Sequence, residues 1–307
     1  HMEGLNRMSR NPVLVYDRAD ESLVSEPILG DCWMRLAYSF PVRPVARRTL
    51  FRYSVFSRLM GLYADSRLSR RKIAKTIESL GIDASEFEKA PGDFCTFNDF
   101  FTRRLKPECR PYDAAPEALC APADSRVACC RKLTPGTAFE IKGMRFDLRR
   151  LFGDPGESYV QMFEGGDAVV CRLSPADCHR YAFPVASRIL KNWRLDGRLD
   201  SVNPVALRLG FPIFEENRRE ISILDGRRFG IVAYIEIGAF AVGGIVQTYG
   251  GIEVAKMQEK GYFEFGGSTI VLLFQEGKVQ MDDDLIAHSN DGYETIVKMG
   301  ERIGRLA

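Results

Sequence analysis

At 307 residues, 45% of them hydrophobic and 27% charged, the chain has an ordinary globular composition and can bury a sizeable core in one large domain or two modest ones. The net charge of +2 is uninformative as a total, but basic residues crowd the stretch from Arg35 to Lys75, where Asp65 is the only acid. Eight cysteines without a C-x-x-C pair exclude zinc-ribbon and thioredoxin readings and point to free thiols in a reducing, cytoplasmic compartment.

The opening His1-Met2 reads as a cloning scar, and no signal peptide is visible. Residues 1–30 lack periodicity and contain Pro12 and Pro27, so an extended N-terminal arm is expected. Residues 31–90 read as helical. Leu50, Phe51, Val55, Leu59, Leu62 and Tyr63 recur near a helical period, with Arg47, Arg48, Arg52 and Arg58 interleaved. A second helix over Ser69–Leu80 should stop at Gly81. So basic a segment suits an anionic partner, unless its charged face is simply solvated.

After Pro91-Gly92 the texture changes. Runs rich in Val, Ile, Phe and Tyr cover Asp167–Leu173, Ser187–Trp193, Glu220–Leu224, Phe229–Ile237, Ile245–Tyr249 and Thr269–Phe274, separated by Gly, Pro, Asn and Asp clusters. The expected fold class is α+β, with a β-rich domain over 91–307 preceded by the helical region. The longest apolar stretch, GIVAYIEIGAFAVGGIV from Gly230 to Val246, carries Glu236 and is too short and glycine-rich to span a bilayer. It reads as two buried strands around a turn. No internal repeat is present.

Four stretches could carry chemistry. The first, FCTFNDFFTRRLKPECR (94–110), has phenylalanines at helical spacing and reads first as a helix packing an aromatic face. In APADSRV (121–127), Asp124 follows a proline turn and could orient a histidine or make a cap. LSPADCHRYAFPV (173–185) presents His179 in a rigid polar loop; a lone histidine is more often structural than catalytic. Finally, YFEFGGSTIVLLF (262–274) places Gly266, Gly267, Ser268 and Thr269 between two strand-like halves, which reads first as a tight turn. It is neither a G-x-S-x-G elbow nor a P-loop.

Taken in order, these stretches resemble the phosphatidylserine decarboxylase family. The likeness runs from FNDFFTRRLKPECRP through APADSRV, LSPADCHRYAFP, SVNPVAL, FEENRRE and IEIGAFAVGGI to GYFEFGGSTIVLLF and DDDLIAHSNDGYETIVKMGERIG. Each motif is modest; the ordered set is specific. The resemblance implies a self-cleaving proenzyme cut between Gly267 and Ser268. The Ser268 hydroxyl would attack the Gly267 carbonyl and form an ester, and β-elimination would leave dehydroalanine, which hydrolyses to a pyruvoyl group. That group would be the cofactor, with no metal. The implied reaction converts phosphatidylserine to phosphatidylethanolamine on an anionic membrane surface, by a peripheral protein that could be a homodimer. Nothing points to nucleic acid. Asp124 matches the family's orienting acid, while His179 would hold the substrate carboxylate or donate the proton that replaces it.

One position departs from the pattern. In the family's H-R-x-H-x-P motif the second histidine is the base; here His179 and Arg180 are followed by Tyr181, Ala182, Phe183 and Pro184. Losing a general base typically costs about 10²–10⁴-fold in rate, so the chain is expected to process poorly or not at all. An engineered trap of the uncut precursor accounts for Ala182 with the other motifs intact; a natural divergence is the alternative. Two other functions stay open at this point: decarboxylation of a soluble amino acid such as tryptophan on the same scaffold, and non-catalytic lipid binding.

Overall fold

In a computed structural model, residues 13–26, 54–133, 139–141, 144–197, 213–238, 244–266 and 268–307 are described. Strands β1 (Leu14–Asp17) and β2 (Ser22–Ser25) form a hairpin, followed by helices α1 (Ser54–Ala64), α2 (Ile73–Leu80) and the short α3 (Phe97–Phe101). Next come β3 (Ala118–Cys120), β4 (Ser125–Cys130), β5 (Phe139–Ile141), β6 (Met144–Phe146) and α4 (Leu148–Phe152). They are followed by β7 (Asp167–Leu173), β8 (Arg180–Ala182), β9 (Ser187–Leu195) and α5 (Ile213–Glu216). A run of strands ensues: β10 (Arg219–Asp225), β11 (Ile231–Gly238), β12 (Ile245–Gln247), β13 (Glu253–Val254), β14 (Glu259–Phe263) and β15 (Ser268–Phe274). Then come β16 (Val279–Met281), α6 (Asp283–Asn290), β17 (Thr295–Val297) and β18 (Arg302–Leu306).

Ten strands make the main sheet in the order β13-β9-β10-β11-β15-β7-β4-β17-β1-β2. All its pairings are antiparallel except β1 with β17. Two three-stranded sheets, β12-β14-β8 and β16-β18-β3, lie apart from it, with β5–β6 as a separate hairpin. The expected α+β, strand-rich class is the observed one.

The core explains why DAVVCRL and STIVLLF are apolar almost throughout. Every residue of β7 and β15 is buried, because the centre of the sheet is covered on both faces. Side chains alternate across a strand. Val271 and Leu273 therefore enter one core with Ile235 and Val170, while Ile270, Leu272 and Phe274 enter the other with Tyr181 and Tyr234. A third, smaller cluster gathers Ile73, Phe87, Phe94, Phe97, Phe100 and Phe101, with Phe265 packed against it.

Each of the six strand runs overlaps an observed strand, though Phe229 falls in a 3-10 turn before β11 and Thr248 and Tyr249 lie past β12; α2 ends at Gly81 with φ 63°, a left-handed stop suited to glycine. The helix expected from Ser69 begins instead as a 3-10 turn over Arg67–Lys72 and becomes α-helical at Ile73. Of the helical region, residues 31–53 lie outside the described residues, as does the SVNPVAL motif. The arm is, over residues 13–26, a hairpin paired into the main sheet. The glycine-serine turn needs correction. It is no hairpin, since β14 belongs to the β12-β14-β8 sheet and β15 to the main sheet. Past Phe263, over residues 264–266, the chain turns a corner from one sheet toward the other.

Candidate active site

Ser268 is the first residue of β15, paired with Gly238 of β11 on one side and Leu173 of β7 on the other. Ser268 and Thr269 are fully buried, and neither hydroxyl has a hydrogen-bond partner among the described residues. An unpartnered buried hydroxyl costs on the order of 1–3 kcal/mol. Two in succession contribute nothing to stability that explains them. Just before them, Gly266 has φ 149°, a backbone conformation that side-chain-bearing residues rarely adopt. Gly267 lies outside the described residues.

The corner leading to Ser268 is held from two sides. The Phe263 N–H donates to the His179 carbonyl at 2.9 Å and the Phe265 N–H to Asn98 Oδ1 at 2.9 Å. The Phe265 ring stands edge-on to Phe97 and Phe101, with centroids 5.0 and 5.2 Å apart. Thus the aromatic face of α3, capped by Thr96 whose Oγ1 accepts from Asp99 N–H at 3.0 Å, packs directly on the corner.

His179 joins this assembly. Its imidazole is fully buried and lies 3.8 Å, centroid to centroid, from the Phe101 ring. Its Nδ1 is 3.1 Å from the Asp177 carbonyl oxygen. A carbonyl only accepts, so Nδ1 carries the proton and donates. Nε2 has no partner among the described residues. Burial, and after it the nearby Arg103 charge, push the pKa down to about 3. The ring is therefore neutral at ordinary pH, with Nε2 as a bare acceptor. Holding a carboxylate or donating a proton, the role implied by resemblance, would first require protonation.

Ala182 meets the turn that carries Asp124 through a backbone hydrogen bond. The Ala182 N–H donates to the Pro122 carbonyl at 2.8 Å, which sets position 182 beside the turn that carries Asp124. Ala182 is buried, and its carbonyl accepts from the Tyr234 hydroxyl at 3.2 Å. Asp124 engages Arg110 through both oxygens, Nε to Oδ1 at 2.8 Å and Nη2 to Oδ2 at 2.7 Å; Oδ1 also accepts from Met299 N–H at 2.8 Å. Among the described residues no hydrogen bond links Asp124, His179 and Ser268 to one another.

Some participants were not read from the sequence as part of the site. Arg110 lies in a quoted motif, but its partner Asp124 is fourteen residues away, and Glu86, 2.8 Å from Nη2, is still farther along the chain. In the sequence Glu236 is only a charge in an apolar run. It is fully buried against Lys260, also fully buried, whose ammonium lies 4.9 Å from the Tyr234 ring centroid and 5.6 Å from that of Phe183. Glu236 and Ser268 are on one face of the sheet, since Gly238 pairs with Ser268 and Glu236 sits two residues before Gly238. An isolated charge in an apolar run is the only sequence signal such a pair gives.

Among the described residues no cluster of three His, Cys, Asp or Glu side chains could hold a metal ion, and the seven described cysteines are free thiols. A family model described as phosphatidylserine decarboxylase matches residues 97–305. The chain is 38% identical to the phosphatidylserine decarboxylase proenzyme of Clostridium botulinum strain 657, over 94% of this chain and 98% of that one. It is 36% identical to the proenzyme of Clostridium perfringens strain ATCC 13124, over 95% and 99%. A third proenzyme, from Ruminiclostridium cellulolyticum, is also 36% identical over 95% and 97%. The ordered motifs, the matching model and near full-length relatives agree: the chain belongs to the phosphatidylserine decarboxylase family.

Proposed function

We propose that this chain is the proenzyme of a pyruvoyl-dependent phosphatidylserine decarboxylase, cut between Gly267 and Ser268, and that Ala182 impairs the cut. The observation that carries the reading is the Ser268 hydroxyl, buried without a hydrogen-bond partner among the described residues at the head of β15, just after a backbone corner that Gly266 makes possible. A group built from Ser268 fits the residues present, because that position is fully buried, carries a hydroxyl and is flanked by two strands. When formed, the pyruvoyl group supplies an electron sink for loss of CO₂.

The remaining chemistry belongs to side chains. Ser268 is the nucleophile on the preceding carbonyl, and glycine at 266 lets the backbone bend without a side-chain clash. Asp124, clamped by Arg110, supplies a fixed negative charge beside position 182, where a histidine would be oriented as a base. Alanine there has no lone pair to take the Ser268 proton. His179, neutral and packed at a tilt against Phe101, offers Nε2 as an acceptor within the same assembly. Ala182→His, run on a denaturing gel, should yield a fragment comprising residues 268–307; an uncut chain would sink this account.

The helical segment gives the lipid reading its support. Leu59, Leu62 and Leu68 are 59%, 63% and 64% exposed, beside the exposed basic residues Arg67, Arg70, Arg71, Lys72 and Lys75. Apolar side chains rimmed by cations match an anionic membrane surface. No helix among the described residues is long and apolar enough to cross a membrane. Co-sedimentation with anionic vesicles, weakened by Leu62→Glu and by salt, tests this face; equal binding to neutral vesicles would count against it.

A further inference from the structure

Arg103 follows α3 and is only 3% exposed. Among the described residues its hydrogen bonds go to main-chain carbonyls, not to carboxylates: Nη1 to Phe100 at 3.5 Å, and Nη2 to Ala176 at 2.6 Å and Asp177 at 3.1 Å. The guanidinium carbon lies 5.0 and 4.9 Å from the Phe87 and Phe100 ring centroids. Stacking and carbonyl contacts of this kind can serve as a simple structural staple. The Asp177 carbonyl suggests more. That one oxygen accepts from Arg103 Nη2 and, at 3.1 Å, from the Nδ1–H of His179, so two donors share its two lone pairs.

We propose that Arg103 is a positioning residue for His179: it pins the Asp177 carbonyl against the imidazole, which fixes the proton on Nδ1 and leaves Nε2 as a bare acceptor. The other charged groups around the ring are already engaged. Arg126, approaching from β4, pairs with Asp177, and Asp124 is held by Arg110. Phe101 covers the imidazole face, and β14 meets the loop through the Phe263 N–H. Arg103, with no ion-pair partner among the described residues, adds its charge to the larger effect of burial in disfavouring the imidazolium, and Arg126 pushes the same way more weakly. The catalytic meaning of this arrangement rests on the decarboxylase reading; the arrangement itself does not.

Nitrogen-15 NMR of the whole, uncut chain tests it, because His1, His179 and His288 are the only histidines. His179 should show the shifts of the Nδ1–H tautomer and stay neutral down to about pH 5. In Arg103→Met the tautomers should mix and the titration midpoint should rise by about one unit or more. Arg103→Lys keeps the charge but not the fork, so it should retain a low midpoint while the tautomers mix. An unaltered chain whose His179 carries its proton on Nε2, or titrates near the ordinary value, overturns the proposal without any variant. A folded Arg103→Met with unchanged His179 signals overturns it too, His288 reporting the fold. Should Arg103→Met not fold, an Arg103→Lys chain with an undisturbed tautomer rules out the locking role. All these spectra are taken without self-cleavage. Failure of Ala182→His to cut would therefore count against the decarboxylase reading and leave this one standing.

Discussion

Arg110 grips Asp124 with two parallel hydrogen bonds of 2.8 and 2.7 Å, and the pair is nearly closed to solvent, with side-chain exposures of 7% and 9%. Such a two-pronged contact fixes direction as well as charge. Removing one member of a buried pair strands the other. Arg110→Met is therefore expected to destabilise the chain by roughly 3 kcal/mol, read from urea unfolding. Asp124→Asn keeps the shape and leaves Arg110 its contact with Glu86, so it should cost less. In an Ala182→His background, however, Asp124→Asn should slow self-cleavage by on the order of 100-fold or more. Cleavage at an undiminished rate would remove Asp124 from the site.

Gly266 tests the corner itself. At φ 149° an added methyl group strains the backbone, so Gly266→Ala should cost about 1–3 kcal/mol. In the Ala182→His background it should also slow cleavage by more than the stability loss accounts for, measured as fragment yield under fully folded conditions. A variant as fast and as stable as its parent would mean that the corner tolerates ordinary residues.

Lys260 and Glu236 form a buried pair whose balance can be upset from one side. Burial raises the Glu236 pKa, and Lys260 opposes that shift. With Lys260→Met the opposition disappears and the carboxyl should hold its proton to higher pH. A carboxyl with a raised folded-state pKa contributes stability below its unfolded value and loses it as pH climbs through the folded value. The urea midpoint of Lys260→Met should thus be higher at about pH 5 than at about pH 8, relative to the parent. Lys260→Met with Glu236→Leu should recover much of the loss, since a buried pair is replaceable by apolar packing.

His179 has the opposite sign. Its folded pKa of about 3 lies below the ordinary 6.5, so the unfolded chain binds the extra proton between those values. Its contribution is present above the ordinary value and falls away as pH drops toward 3. Between about pH 6.5 and 5 the parent should lose up to about 1.4 kcal/mol per unit through this residue. His179→Phe should flatten that slope. Equal slopes in parent and variant would show that the imidazole is not held neutral.

The sequence by itself determined the family, through motifs in a specific order, and the strand class, through apolar runs that alternate or continue according to how many faces are buried. Those signals are local. Gly81 ended α2 for the same reason, since a left-handed residue is a property of one position. It also named Ser268, Asp124, His179 and position 182 as the places to look.

Only the tertiary structure decided how these positions relate. The glycine-serine corner resembles a hairpin in sequence because flexible residues sit between two apolar runs. Which sheet each run joins depends on partners far along the chain, Tyr181 and Val246 for β14 and Ile235 and Val170 for β15. Likewise Arg110 with Asp124, and Lys260 with Glu236, are pairs made by folding, and charge pairing leaves no periodicity to read. The state of His179 is set by burial, by the Asp177 carbonyl and by Arg103, none of which the residue announces. A hydroxyl becomes a candidate nucleophile when the fold buries it and, among the described residues, gives it no hydrogen-bond partner. That happens to Ser268 because two strands close over it.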